Sequence, residues 1–458
     1  MVTGNVVVNK AMTVGAIGPY FQGFSFEKTH ITNSSLTGTN ANMIALFKLV
    51  GPVVLRLGAN DVDRCTWTAS QAPASGVPAI PSKVVGTAMV DQLNDFLTAA
   101  GAKVIYGVNF KLDNTANTAA EATYAAPKLG ANLYGFEIGN ELNVYGSWTG
   151  GQKAQWEGMA TAILAGAPNA LFAGAAETAG GGLPENLLFA HDEPLKFPGK
   201  ITVLTQHYYM GPAGGGGLSV MQTLKGDIAS GAGGLTPIAP AMNMAATTNH
   251  VPNGYRFGEA NSFFNHGQAG LSDALIEGLW GIDLEFALAQ NGATGINFHG
   301  GETGQDGTAP FHYQPIVELN GVVQGTQPAY DAMLAVYLAG QGNVLGTTVT
   351  TTNQTFTAYA VDYKADGSTM VILNNKSATD GVAVNVDLGA PVTSASAIYL
   401  QGTPAGSLTA PAAAVTVAEA SVTAQGTWAR KPPYIQKTAG NTVSVFVPAA
   451  SAALVRVQ

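Results

Sequence analysis

The chain alternates short apolar runs with longer stretches of helical period over its first three-quarters. Eight of the apolar runs read as strands: Gly23–Glu27, Val53–Gly58, Val104–Phe110, Tyr134–Gly139, Ala170–Ala175, Ile201–His207, Tyr255–Gly258 and Gly295–His299. Between them the spacing predicts helices over Ala41–Val50, Val84–Ala100, Glu121–Leu129, Gln152–Ala165, Pro184–Ala190, Ser219–Ile228 and Asp273–Ala289. In Val84–Ala100, Met89, Leu93, Phe96 and Leu97 fall on one helical face. Pro328 opens a last helix, Ala329–Leu338, where proline suits a first turn. Strands and helices in strict alternation predict a parallel sheet closed into a (β/α)8 TIM barrel. The rival, an open doubly wound sheet, usually carries a glycine-rich phosphate turn after its first strand, and Gly23–Glu27 offers none. Gly214–Gly217 lacks a following Lys-Ser/Thr and reads as a loop.

The pattern changes after Gly340. Short alternating runs replace the helices: Thr347–Val361, Thr369–Leu373, Val382–Leu388, Ser396–Leu400, Thr442–Val447 and Ala453–Val457. Turn dipeptides such as Asp366-Gly367 and Asp380-Gly381 punctuate them. This predicts an antiparallel β-sandwich. Asn5–Val14 also reads as a strand and fits the same sandwich. The expected division is therefore a catalytic barrel over 15–342 and a discontinuous sandwich of 1–14 plus 343–458.

Composition narrows the partners. The chain has 458 residues, 46% of them apolar, so it can build a large core. Only 11% are charged, against about 25% in typical soluble chains, and 57 are glycine. The net charge is −9 and no Lys/Arg cluster stands out. That argues against nucleic acid or an anionic membrane as partner. No run of apolar residues is long enough to predict a membrane-spanning helix. One cysteine, Cys65, excludes an internal disulfide. Met1 to Lys10 do not resemble a leader. Sparse charge with abundant Thr, Asn and Gly fits a secreted or periplasmic protein whose leader has been removed. Oligomeric state is not readable.

The candidate chemistry sits where a barrel of this kind places it, at the carboxyl ends of the strands. Glu141 follows the fourth strand and Glu259 the seventh, nearly opposite each other in an eight-strand ring. Two carboxyls across a pocket are what glycosidic cleavage needs: one protonates the leaving oxygen, the other attacks the anomeric carbon or activates water. No His-Glu-x-x-His or Cys-x-x-Cys run supports a metal, and no Gly-x-Ser-x-Gly elbow supports a serine triad. A nucleotide cofactor is not expected.

Asn140-Glu141 after strand four and Gly258-Glu259 after strand seven resemble the retaining barrel glycosidases of clan A. Gly258-Glu259-Ala260-Asn261-Ser262, His207-Tyr208-Tyr209, Gly139-Asn140-Glu141 and Phe298-His299-Gly300-Gly301 together resemble glycoside hydrolase family 79, which contains β-glucuronidases and heparanase. The resemblance covers the barrel and the trailing sandwich. It implies Glu141 as general acid/base and Glu259 as nucleophile, with retention of configuration. Asn140 would hold the sugar 2-hydroxyl and Tyr209 would hold Glu259. His207 and Tyr209, two apart, point the same way on a strand. Glu27, Asn60, Asp63 and His299 would bind sugar hydroxyls, and Arg56 would lie near the nucleophile. The implied substrate is a carbohydrate or glycoconjugate, cleaved by an exo-acting β-D-glucuronidase at a terminal glucuronic or 4-O-methylglucuronic acid.

Two features depart from that pattern. Phe263 and Phe264 stand where a tyrosine would be expected to serve the sugar carboxylate. The loop from Gly300 to Ile316 carries Glu302 and Asp306, which would repel a uronate facing them. Tyr313 could supply a phenol in their place, and His312 or Lys111 a positive charge. The alternatives are a retaining β-glycosidase on a neutral sugar, a glucoside or xyloside, and a carbohydrate-binding protein without turnover. Trp428 and the Tyr434 region could form a stacking platform on the sandwich, or could be ordinary core aromatics.

Overall fold

The structure is a computed structural model that describes residues 2–70, 83–112, 114–223, 235–301, 311–319 and 321–458. Eight parallel strands close on themselves: Gly23–Glu27, Val54–Gly58, Lys103–Val108, Leu133–Ile138, Phe172–Glu177, Ile201–Pro212, Tyr255–Phe264 and Gly295–Gly300. The eighth pairs with the first through Phe298 and Phe24. Side chains two apart on these strands share a face, so the barrel fills in layers. Val54, Ile105, Ala173 and Val203 form an apolar layer low in the barrel. Arg56 and Thr205, each two residues further along, stand directly above it.

The sixth and seventh strands are longer than the apolar pattern predicts. Beyond the barrel they continue paired, from Glu259 opposite His207 to Phe264 opposite Pro212. Apolarity was a poor guide there because Glu259, Asn261 and Ser262 are buried polar residues with hydrogen-bond partners inside the fold. Of the helix predicted over Ser219–Ile228, the structure describes Leu218–Gln222, and residues 224–228 lie outside the described residues. A helix at Leu235–Thr248, with Pro240 inside it, was not predicted. Val84 and Val85 are a two-residue strand beside Thr66–Trp67, and the next helix begins at Thr87.

The second layer is an 11-stranded sheet that curls around its own core of Val6, Val8, Leu373, Val384, Val445 and Val455, among others. Val2–Ile17 pairs antiparallel with Gly342–Thr351. On its other edge it pairs parallel with Val382–Asp387, so the sheet is not purely antiparallel. The run Thr347–Val361 is two strands, Gly342–Thr351 and Phe356–Tyr363. Asn353 makes the turn by accepting the Thr355 N–H at 3.0 Å, chemistry that leaves the alternating polar pattern unbroken. Trp428 is half-buried, its indole donating to the Val417 carbonyl at 2.9 Å, whereas Tyr434 is exposed beside Tyr399.

Two helices lie between barrel and sheet, Leu275–Gln290 and Pro328–Ala339. They are apolar on nearly every side, as helices packed between two layers must be. Asp283 on the first is the polar tie. One of its oxygens accepts from Thr357 at 2.7 Å, Tyr359 at 3.0 Å and Asn374 at 2.8 Å. The other faces the buried Lys376 ammonium at 2.6 Å.

Candidate active site

Local backbone geometry brings the two glutamates to the barrel mouth. The seventh strand slips register at Gly258, between Phe257 opposite Gln206 and Glu259 opposite His207. Such a bulge re-aims the next side chain, and here it aligns Glu259 beside His207. After strand four the chain turns sharply at Gly139, where φ is +86°. A Cβ there would sit 2.5 Å from Leu142 Cδ2 and 2.7 Å from Phe110 Cβ, so only glycine fits. Glu141 itself holds φ of +50°, and its N–H donates to the Ala176 carbonyl at 2.8 Å. A non-glycine residue in that region is held there against its own preference.

Glu259 is buried and surrounded by donors. Arg56 Nη1 lies 2.7 Å from its Oε2, and the Tyr209 hydroxyl donates to its Oε1 at 2.9 Å. Arg56 is fully buried and divides its fork three ways. Nε reaches Glu137 at 2.6 Å, Nη1 reaches Glu259, and Nη2 reaches the Asn140 carbonyl oxygen at 2.8 Å. Thr205 closes the other oxygen of Glu137 at 2.7 Å. Burial pushes the Glu259 carboxyl up, but His299, His207, Arg56 and the Tyr209 phenol outweigh it and hold the pKa well below the usual carboxylate range. Burial likewise opposes charge on Arg56, and Glu137 and Glu259 more than offset it. Glu259 is thus an ionised carboxylate facing a cavity.

Glu141 stands in a different setting. Its side chain is about a quarter exposed, and His207 Nδ1 lies 3.0 Å from its Oε1. Along one face of strand six, Thr205, His207 and Tyr209 therefore touch Glu137, Glu141 and Glu259 in turn. Glu141, His207 and Glu259 each present an atom within 4.8 Å of the others. That trio could offer a metal three ligand atoms. Both oxygens of Glu259 are already taken, however, and the fixed charge of Arg56 beside them opposes a cation.

Glu27, Asn60, Glu141, Tyr209, Glu259, His299 and Tyr313 line one cavity of about 490 Å³. Tyr313 lies 6.1 Å from Tyr209 and 5.8 Å from His299, ring to ring. Asn140 and His207 are not in the lining; they stand behind the carboxylates and touch them or Arg56. Asp63, expected to bind sugar hydroxyls, does not line the cavity. It is buried, and its oxygens accept the N–H groups of Phe110, Lys111 and Asn140 at 2.9, 3.1 and 3.2 Å. It ties loops together beneath the site. Glu27 lines the cavity yet also accepts the Asp61 N–H at 2.6 Å. Lys111 lies over the Tyr145 ring and His312 pairs with Asp273 at 2.6 Å, and neither lines the cavity. Glu302 and Asp306 lie outside the described residues.

Sequence reasoning missed Glu137, Lys83, His30, His266 and Phe311. Glu137 had a signal, since Phe136-Glu137-Ile138 places a carboxylate in an apolar strand with Arg56 available. The cavity residues had none, because their loops converge only in the folded barrel. Phe264 lines the cavity, half exposed, with its ring edge-on to Tyr209.

No family model matches the chain. Over 328 residues it is 24% identical to a β-glucuronidase of Aspergillus niger, covering 64% of this chain. The matched region spans 58% of the length of that curated relative. Among solved structures, a 4-O-α-L-rhamnosyl-β-D-glucuronidase of Fusarium oxysporum 12S superposes with a TM-score of 0.79 at 19% identity, covering 98% of this chain and 99% of that one. A family 51 α-L-arabinofuranosidase of Bifidobacterium longum superposes at 0.69 with 15% identity over the whole of both chains. The architecture of barrel plus curled sheet is therefore shared along the full chain with glycoside hydrolases.

Proposed function

We propose that the protein is a retaining β-glycoside hydrolase that removes a terminal β-D-glucuronic acid or its 4-O-methyl ether. The observation that carries the chemistry is the pair Glu141 and Glu259, with oxygens within 4.8 Å across one cavity and Glu259 held as an anion. Retaining enzymes hold their carboxyls about 5–5.5 Å apart, inverting ones farther. Glu259 attacks the anomeric carbon while Glu141 gives its proton to the leaving oxygen. The resulting glycosyl ester removes the charge of Glu259. Glu141, now a carboxylate, takes a proton from water as that water attacks, and free sugar leaves with its configuration retained. Asn140 accepts from Arg56 with its carbonyl oxygen and so helps fix the guanidinium that holds Glu259.

Support for the uronate comes from the two glucuronidases the chain resembles and from Lys83, His266 and Tyr313 around the cavity. A second reading, a neutral β-glucoside or β-xyloside, draws on Glu27 and Asp61 in the same lining and on Phe264 without a hydroxyl. The two are separated by kcat/KM on p-nitrophenyl β-glucuronide, β-glucoside and β-xyloside, for wild type and Glu259→Ala. The glucuronide should be preferred. The variant should lose several orders of magnitude and recover with azide, giving a glycosyl azide of opposite anomeric configuration. Preference for a neutral glycoside leaves the glutamates in place and overturns the sugar. Undiminished turnover by Glu259→Ala overturns the mechanism.

A further inference from the structure

The loop that carries Glu141 is fastened to the end of the fifth barrel strand by four hydrogen bonds. Glu141 N–H donates to the Ala176 carbonyl at 2.8 Å. Asn143 N–H donates to Glu177 Oε2 at 2.8 Å. The Asn143 amide donates to Thr178 Oγ1 at 2.7 Å and accepts from the Thr178 N–H at 3.1 Å. Both ends of this seam depart from ordinary backbone, Glu141 at φ +50° and Ala176 at φ +59°. The strand side is fixed in turn. Gln206 donates to the carbonyls of Glu177 and Thr178 at 2.9 and 2.7 Å. Gly182 packs so closely that a Cβ would meet the Glu177 Cβ at 2.6 Å.

Glu177 is the unusual member. Among the described residues it is a carboxyl side chain with no exposure, no cation against it, and an Oε1 without a partner. A buried carboxylate in that state costs far more than a buried carboxylic acid. Burial, with the charges of Glu185 and Glu141 adding to it, pushes its pKa up to about 8 against the pull of the Asn143 N–H. The group therefore enters the fold as a neutral acid that accepts one backbone hydrogen bond. A neutral acceptor fastens the loop without placing a second anion behind Glu141.

We infer that Glu177 and Asn143 form a positioning clamp that holds the acid/base Glu141 in its left-handed conformation at the leaving-group oxygen. The inference rests on the glycosidase reading above. Its consequence is selective. Misplacing the proton donor hurts a leaving group that must be protonated and spares one that departs as a stable anion. General acid catalysis is worth about 10²–10⁴-fold where it is needed.

The test compares kcat/KM on the methyl and 2,4-dinitrophenyl glycosides of the sugar that wild type prefers. Glu177→Ala and Asn143→Ala should each lose about 100-fold on the methyl glycoside and little on the dinitrophenyl one. Asn143 is half-buried on the loop side, so its variant guards against a Glu177→Ala protein that does not fold. Glu177→Gln keeps a neutral oxygen acceptor of the same length and should restore both rates. Circular dichroism verifies that each variant is folded. Equal losses on both substrates, or a folded Glu177→Gln as impaired as Glu177→Ala, overturn the clamp and leave the glycosidase reading standing. A wild type that hydrolyses no glycoside overturns both.

Discussion

Two of the buried ion-pair sites among the described residues differ in what lies on their far side. At the seam between barrel and sheet, Asp283 is closed off: Thr357, Tyr359 and Asn374 take one oxygen and Lys376 faces the other. At the barrel mouth, Arg56 is shared among Glu137, Asn140 and Glu259, and Glu259 turns its remaining face to a cavity. The components are alike, a fully buried cation against a carboxylate with hydrogen bonds around it. A closed pair joins two layers. An open pair holds an ionised carboxylate where water and ligand can arrive. Burial and pairing alone do not separate the two sites; the cavity does.

The contrast predicts opposite mutational signatures. Arg56→Lys keeps the charge but cannot span three acceptors. It should lower kcat/KM by at least about 10²-fold, the usual cost of losing a preorganised donor. A folded Arg56→Lys enzyme with near wild-type kcat/KM would show that the fork geometry is dispensable. Lys376→Met should do the reverse. Stripping the cation from a buried carboxylate costs about 3–5 kcal/mol, which should appear as a lower denaturation midpoint with kcat/KM nearly unchanged. Adding Asp283→Asn should recover part of the stability. An unchanged midpoint would mean that the seam pair is not a tie.

A further effect is expected in pH. Burial pushes Glu177 up to about 8 and Asp331 up to about 7. For such groups the stability contribution is complete below the ordinary carboxylate value near 4 and is lost as pH rises through the folded values. Glu259, held low, acts in the other direction: its contribution is present above that value and is lost as pH falls through its folded pKa. Thermal midpoints should therefore peak in mildly acidic solution and decline toward pH 8. Glu177→Gln with Asp331→Asn should flatten the decline, and a wild-type midpoint that rises from pH 5 to 8 would contradict it.

Much of the frame was legible in the chain. Strands of period two and helices of period 3.6 report which face is buried, and burial is what closes a barrel. The glutamates were legible because Asn140-Glu141 after strand four and Gly258-Glu259 after strand seven fall on nearly opposite strands of the ring. Asp63 shows the limit. By position it looked like another ligand residue, and only the path of three neighbouring backbone segments turned its oxygens to their N–H groups. Glu177 shows the same limit in reverse. It closes a strand as Glu27 does, but Asn143 meets it from another loop and Gly182 seals it from water.

The sequence by itself determined the alternation of elements, the identity of the two opposed carboxylates and the scarcity of surface charge, since each depends on residue type and local spacing. The tertiary structure decided that Glu259 is held ionised, which residues share the cavity and which buried acids only hold loops. Those outcomes depend on dielectric, on the distance to charges far along the chain and on hydrogen-bond partners from separate loops. None of these quantities exists until the barrel has closed.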